Sequence, residues 1–181
     1  NFRYTNPDLA AFVNNKTQVI PSASSGNKSY LNTNMVAYPR ISFPEILNLK
    51  ELHPYIKVIK AVLVIKPDSS SEPFPYSLPP VLRMYTTDAA NYPITPMYDD
   101  PVLQQLQSGD LFIDRLYGEN TNYSFDITGF INTLISEGQF SNSALVLYPS
   151  VKDMGGDIQR LIVHDQTGKR SVQLKLYVLG L

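Results

Sequence analysis

Alternation of apolar and polar side chains dominates this sequence, and a period of two predicts strands rather than helices. The clearest case is the segment 56–66, in which six of the eleven residues are Val or Ile. Branching at Cβ stiffens these side chains against helix and suits a pleated surface. Ile59, Ala61, Leu63 and Ile65 are expected on one face, with Val62 and Val64 on the other between Lys60 and Lys66. Apolar residues on both faces place this strand inside a sheet. The segment 171–178 alternates as cleanly, with Val172, Leu174, Leu176 and Val178 inward and Ser171, Gln173, Lys175 and Tyr177 outward. Further strands are expected at 29–38, 40–43, 81–87, 111–116, 123–127, 144–148 and 158–164. Between the last two strands, Asp165-Gln166-Thr167-Gly168 suits a bulged hairpin.

Helical spacing is confined to short pieces. Asn6 as cap and Pro7 in the first turn start one, with Leu9, Phe12 and Val13 on a face that Asn14-Asn15 ends. Pro44 opens a second, carrying Ile46, Leu47, Leu49 and Leu52 and closed before Pro54. Asp126 or Thr128 can cap a third, in which Ile127, Ile131, Leu134 and Ile135 share a face and Gly138 suits the end. Five prolines between Pro67 and Pro80 make a loop that cannot enter a central ladder, and 88–101, with Pro93 and Pro96, reads as turns. The fold class these elements predict is mainly β: an antiparallel β-sandwich, jelly-roll-like, with two or three short helices. No composition break divides the 181 residues, so a single domain spanning 1–181 is expected.

Composition narrows the chemistry. The chain is 43% apolar and 17% charged, against about 25% charged in average globular proteins, so there is material for a core. With 15 basic and 16 acidic residues the formal charge is −1, which gives no electrostatic case for nucleic acid. Zero Cys removes disulfides, a thiol nucleophile and cysteine-ligated metal, and is compatible with either an oxidising or a reducing compartment. The longest aliphatic run, Ala61 to Ile65, is far below the roughly 20 residues of a membrane span. Near neutrality conceals a pattern: eight basic and three acidic residues up to Lys66, three and twelve from Pro67 to Asp157, then four and one.

That acidic middle supplies the first candidate site. Asp99, Asp100, Asp110 and Asp114 are hard-oxygen donors near loops and could hold a cation, although no ordered calcium-loop spacing is present. The alternative is that acidic loops and basic strands attract each other. Tyrosine supplies the second candidate. Flat phenol rings stack on sugars, and Tyr92, Tyr98 and Tyr117 are the stacking candidates; Tyr30, Tyr38 and Tyr85 lie at similar positions. Equally, Tyr packs its ring into strand cores with the hydroxyl at the rim, and the absence of Trp removes the largest platform. His53 and His164 show no metal-ligand spacing, and Arg160 is expected to pair internally with a carboxylate such as Asp126. There is no Gly-x-Ser-x-Gly elbow and no Gly-rich phosphate loop after a strand, so no catalytic residue and no cofactor are assigned. A hydrolase with two carboxylates distant in sequence ranks last of the function classes.

Several segments occur in a familiar order: Arg40-Ile41-Ser42-Phe43-Pro44-Glu45-Ile46, then Ile59-Lys60-Ala61-Val62-Leu63-Val64-Ile65, then Tyr123-Ser124-Phe125-Asp126-Ile127-Thr128-Gly129-Phe130-Ile131. Leu145-Val146-Leu147, Arg160-Leu161-Ile162-Val163 and Leu174-Lys175-Leu176-Tyr177 follow. In this order they resemble a family of uncharacterised Bacteroidetes surface lipoproteins, the domain of unknown function 4270, over residues 30–178. The resemblance implies a protein secreted across the inner membrane and lipid-anchored on the outer membrane, facing the cell surface. It also implies that Asn1 lies downstream of the anchoring Cys, so that membrane contact is made only through an anchor outside these residues. The family carries no established catalytic residues. The function expected is a non-catalytic protein-interaction or complex-assembly module whose partners are outer-membrane or surface proteins. The alternative is a carbohydrate-binding module using exposed tyrosines.

Overall fold

The β-branched run that dominates the sequence becomes the longest strand of a mainly β structure. This computed structural model describes residues 19–32, 37–52, 56–71, 76–89, 91–137, 143–150, 158–165 and 171–180. In chain order the strands are β1 (Lys28–Asn32), β2 (Arg40–Ile41), β3 (Ile56–Ile65), β4 (Tyr76–Ser77), β5 (Val81–Thr87), β6 (Pro93–Pro96) and β7 (Tyr98–Asp100). They continue as β8 (Gln105–Leu106), β9 (Gly109–Asp110), β10 (Tyr123–Asp126), β11 (Ala144–Pro149), β12 (Ile158–His164) and β13 (Gln173–Gly180). A 3-10 turn at Pro44–Asn48 runs into the short helix α1 (Leu49–Leu52), and α2 (Thr128–Glu137) is a full helix. The expected helix from Asn6, together with His53, Gly138 and the connection following Asp165, lies outside the described residues.

Three sheets share one core. β3 lies between β10 and β13, antiparallel to both. β11 lies between β2 and β5, and the far side of β5 is divided between β6 at its Thr87 end and β9 at its Val81 end. β12 lies between β1 and β4; its pairing with β4 is parallel, whereas the other pairings of strands are antiparallel among the described residues. β7 and β8 form a separate hairpin. Inward side chains from each sheet meet: Leu63 and Ile65 from β3, Leu82 and Met84 from β5, Leu145 and Leu147 from β11, Leu31 and Leu161 from the β1–β12 pair. These sheet orders make a mainly β, largely antiparallel architecture of several sheets.

α2 closes one end of this core. The Asp126 carboxylate accepts the Thr128 N–H at 3.0 Å, and the Thr128 hydroxyl in turn accepts the Ala61 N–H at 2.9 Å, so the helix start is tied to β3. Ile127, Ile131 and Leu134 are buried at the expected helical spacing, and Asn132 donates to the Val58 carbonyl at 3.2 Å. Tyr123 is fully buried, and its hydroxyl donates to the Pro79 carbonyl at 2.6 Å. Tyr123→Phe keeps the ring and leaves that carbonyl short of a donor. It should cost about 1 kcal/mol by urea denaturation, with the slope of the transition unchanged.

The expected faces of β3 hold for Ala61, Leu63 and Ile65, all 0% exposed, but not for Ile59, which is 54% exposed while Val58 is 2% exposed. Pairing passes from Tyr177↔Lys60 to Val178↔Val58, leaving Ile59 without an opposite residue. This is a β-bulge, and it turns Ile59 and Lys60 outward together before alternation resumes. Beyond it, Val178 of β13 lies opposite the buried Val58, as its inward phase expects, but is 46% exposed. Three other expectations change. The segment 88–101 holds β6 and β7 rather than turns alone; Pro93 and Pro96 fit because β6 is an edge strand that can forgo ladder donors. The segment 111–116 pairs only through the Phe112↔Asn122 bridge, because Asp114 gathers the following N–H groups into a loop. β12 and β13 belong to different sheets and do not pair as a hairpin; among the described residues the bridge between His164 and Ser171, just before β13, is what links them in the ladder. Turn residues reverse the chain, but the apolar faces, Leu161 against Leu31 and Leu174 against Leu63, choose the partners.

Candidate functional site

Two part-buried charge contacts meet where β1 and β12 approach the 3-10 turn Ser69–Ser71. Asp68 lies 2.6 Å from His164 Nε2 and 3.7 Å from Lys28 Nζ, and it accepts the Ser70 N–H at 2.8 Å and the Ser70 hydroxyl. Burial works to raise its pKa. The two Ser70 hydrogen bonds, His164 and the Lys28 charge outweigh that and bring it down to about 2. A carboxylate on a histidine is half of a nucleophile-activating triad. Here the Ser70 hydroxyl points to Asp68, and among the described residues no hydroxyl hydrogen-bonds the His164 ring. The group ties the segment leading into the Ser69–Ser71 turn to the paired strands β1 and β12. Arg160 belongs to the same corner: its guanidinium lies 4.0 Å over the Tyr76 ring and donates to the Ser70 and Ser71 carbonyls. That replaces the expected pairing with Asp126, which lies in another sheet on β10 and is held by Thr128.

The four aspartates of the acidic middle are not drawn into one cluster. Among the described residues, no three His, Asp or Glu side chains converge in a way that could hold a metal ion. Asp100 Oδ1 accepts the Val102 and Leu103 N–H groups at 2.8 and 3.0 Å, and Asp110 accepts the Ser108 hydroxyl at 2.5 Å. Asp114 accepts the N–H groups of Leu116, Tyr117 and Asn120, each at 3.1 Å; these bonds, that from Tyr117 first, hold its carboxyl below the usual range. Asp99 is exposed on β7. Where Asp100 and Asp114 act, they turn their own loops, and each loop presents apolar side chains to solvent. Val102 is 89% exposed, Leu103 74%, Leu116 78% and Tyr117 75%. The sequence pattern singles out these aspartates as cation donors and Tyr117 as a stacking ring, but not the exposed Val102, Leu103 and Leu116 beside them. An Asp two residues before an exposed apolar pair was the available signal.

Tyr92 and Tyr117 are exposed and Tyr98 is half-buried; none of the three stacks on another ring among the described residues. The tyrosines that do meet are Tyr38, Tyr85 and Tyr148. Tyr38 stacks on Tyr148 with ring centroids 4.0 Å apart, and Tyr85 meets Tyr148 edge-on at 5.4 Å. Burial raises the pKa of both Tyr38 and Tyr148. All three rings are half-buried and stand outside the core, with Tyr85 and Tyr148 on the face of β5 and β11 opposite Leu82, Met84, Leu145 and Leu147.

The second exposed surface is built by the bulge. On the outer face of β3 and β13, Ile59, Tyr177 and Leu179 are 54%, 57% and 48% exposed and lie among Lys57, Lys60 and Lys175, also exposed. The eight residues of β13 form the margin of their sheet, and no described strand pairs with their far side. Such a margin offers unpaired backbone groups to another chain. Among the described residues, no helix is long and apolar enough to cross a membrane. No protein-family model, curated protein sequence or solved structure matches this chain.

Proposed function

We propose that the protein is a non-catalytic interaction module of the cell surface, joining other proteins through the outer face and margin of β13. One observation carries this reading: an eight-residue edge strand whose exposed side chains include Tyr177, Val178 and Leu179, beside the bulged Ile59. Contiguous exposed apolar side chains on a sheet margin are costly unless covered, and strand addition is a common way of covering them. The placement at the outer membrane follows from the resemblance to surface lipoproteins and brings with it surface proteins as partners. The glycan-binding alternative would use Tyr92 and Tyr117. Their rings stand apart from other rings among the described residues, and the tyrosines that do gather, Tyr38, Tyr85 and Tyr148, are half-buried against one another, so the edge strand is the surface we favour.

A photo-crosslinking side chain at position 177, in the native cell, is the direct check. Discrete protein adducts are expected from position 177 and not from position 137, the exposed Glu at the end of α2. Position 177 giving no protein adduct, with the protein running as a lone monomer from its native membrane, would overturn the reading.

A further inference from the structure

We infer that one partner of this surface is a second copy of the chain, joined head to tail: the acidic, apolar loop tips of one copy seat on the lysine-bearing outer face of β3 and β13 in the next. The inference rests on the interaction reading above and gives it an occupant. Each of the two loops is opposite in charge to the face, and all three expose apolar side chains. Between residues 98 and 119 there are five acidic residues and one basic, whereas β3 and β13 carry Lys57, Lys60 and Lys175, and Asp126 of the adjoining β10, in one row with Val62 and Lys175, leaves that face with more bases than acids. None of those three lysines makes an ion pair with a described residue, and neither does Asp99. On the loops, Val102, Leu103, Leu116 and Tyr117 project from turns whose shape the Asp100 and Asp114 hydrogen bonds set in advance, so little ordering cost remains on binding. On the face, Ile59 and Tyr177 offer the apolar ground between the lysines.

Charge also selects the geometry. Face against face would bring lysines together, and loop against loop would bring carboxylates together; both are penalised, while face against loop is favoured. A contact between two different surfaces leaves one of each open on every pair, so it propagates into a ring or a filament rather than stopping at a two-fold dimer. Because the charges lie at an exposed rim, raising the salt should weaken it.

Sedimentation of the full chain over a range of concentrations tests this, using two variants confined to exposed side chains. One is the face variant Ile59→Ser, Tyr177→Ser; the other is the loop variant Leu103→Ser, Leu116→Ser. The wild type should self-associate, less so at high salt, and each variant alone should sediment as a monomer. Mixed in equal amounts, the variants should form a one-to-one dimer and nothing larger, since only one intact face and one intact loop surface meet. Association surviving in either variant would overturn the head-to-tail contact, as would a mixture that stays monomeric. A wild type that is monomeric throughout, while position 177 still crosslinks to a different protein in the cell, would overturn the second-copy partner and leave the interaction reading standing. Loss of both signals would remove both.

Discussion

Gly109→Ala should lose roughly 3 kcal/mol of stability, the upper part of the range for overpacking a core, and lower the melting temperature by about 10 °C. Gly109 pairs with Leu82 across β9 and β5, and its Cα faces the fully buried ring of Phe125. A Cβ there would sit 2.1 Å from Phe125 Cζ and 2.6 and 2.7 Å from the two Cε atoms, closer than carbon atoms tolerate. The ring cannot swing aside, because Leu63, its partner across β10 and β3, is itself buried. Backbone freedom is not the issue at this position; space is. The prediction therefore carries a second arm. Phe125→Leu shortens the obstructing side chain, so Gly109→Ala should cost markedly less in that background than in the wild type, with a coupling of about 1–2 kcal/mol in a double-mutant cycle. Strictly additive losses would show that the ring is not what excludes the methyl group.

The same glycine shows where reading the chain alone runs out. In sequence, Ser108-Gly109-Asp110 is indistinguishable from a turn, and the demand for a missing side chain comes from Phe125, sixteen positions on, through the packing of two sheets. What was legible was what depends on neighbours in sequence. The burial of 144–147, the bounds of β5, the central place of β3 and the capped start of α2 all follow from local period and branching, whereas Tyr148 is half-buried. What was not legible depended on pairing. The bulge at Ile59, the separation of β12 from β13 and the proline-bearing edge strand β6 each reflect a partner strand that local pattern does not name. The candidate surfaces divide in the same way. The aspartates stood out as acids, but whether they met one another or their own backbone was a matter of loop geometry, and the geometry chose the backbone.

Asp68→Asn should destabilise the protein by about 2 kcal/mol at neutral pH, since it removes the charge on which Lys28, His164 and Ser70 converge. The pH dependence gives the sharper reading. The Asp68 pKa is lowered in the folded protein to about 2, from the ordinary 3.8, so the folded state favours the ionised form. Its contribution is complete above the unfolded value, at about pH 5 and higher, and is lost as the pH falls through the folded value near 2. Asn does not titrate. The stability gap between wild type and variant, measured by urea denaturation from pH 5 downward, should therefore close as the pH approaches 2. A gap that does not change with pH would mean that shape, and not charge, makes the tie. Lys28 and His164 belong to paired strands while Asp68 precedes a turn that also receives Arg160, so the variant should loosen the Ser69–Ser71 corner first. Amide exchange at Ser70 and Ser71 would report that directly.

The bulge in β3 makes the two sides of one strand separately heritable. A strand counts in twos, and an ordinary insertion would turn every residue beyond it inside out. Ile59 stands opposite nothing, so Val58 on one side of it and Ala61 on the other both remain in phase with the core. The strand thus carries an odd residue that only the outer surface experiences. Changes in size or polarity at that position are invisible to Leu63 and Ile65, so a lineage can revise what this face binds without renegotiating how the protein folds.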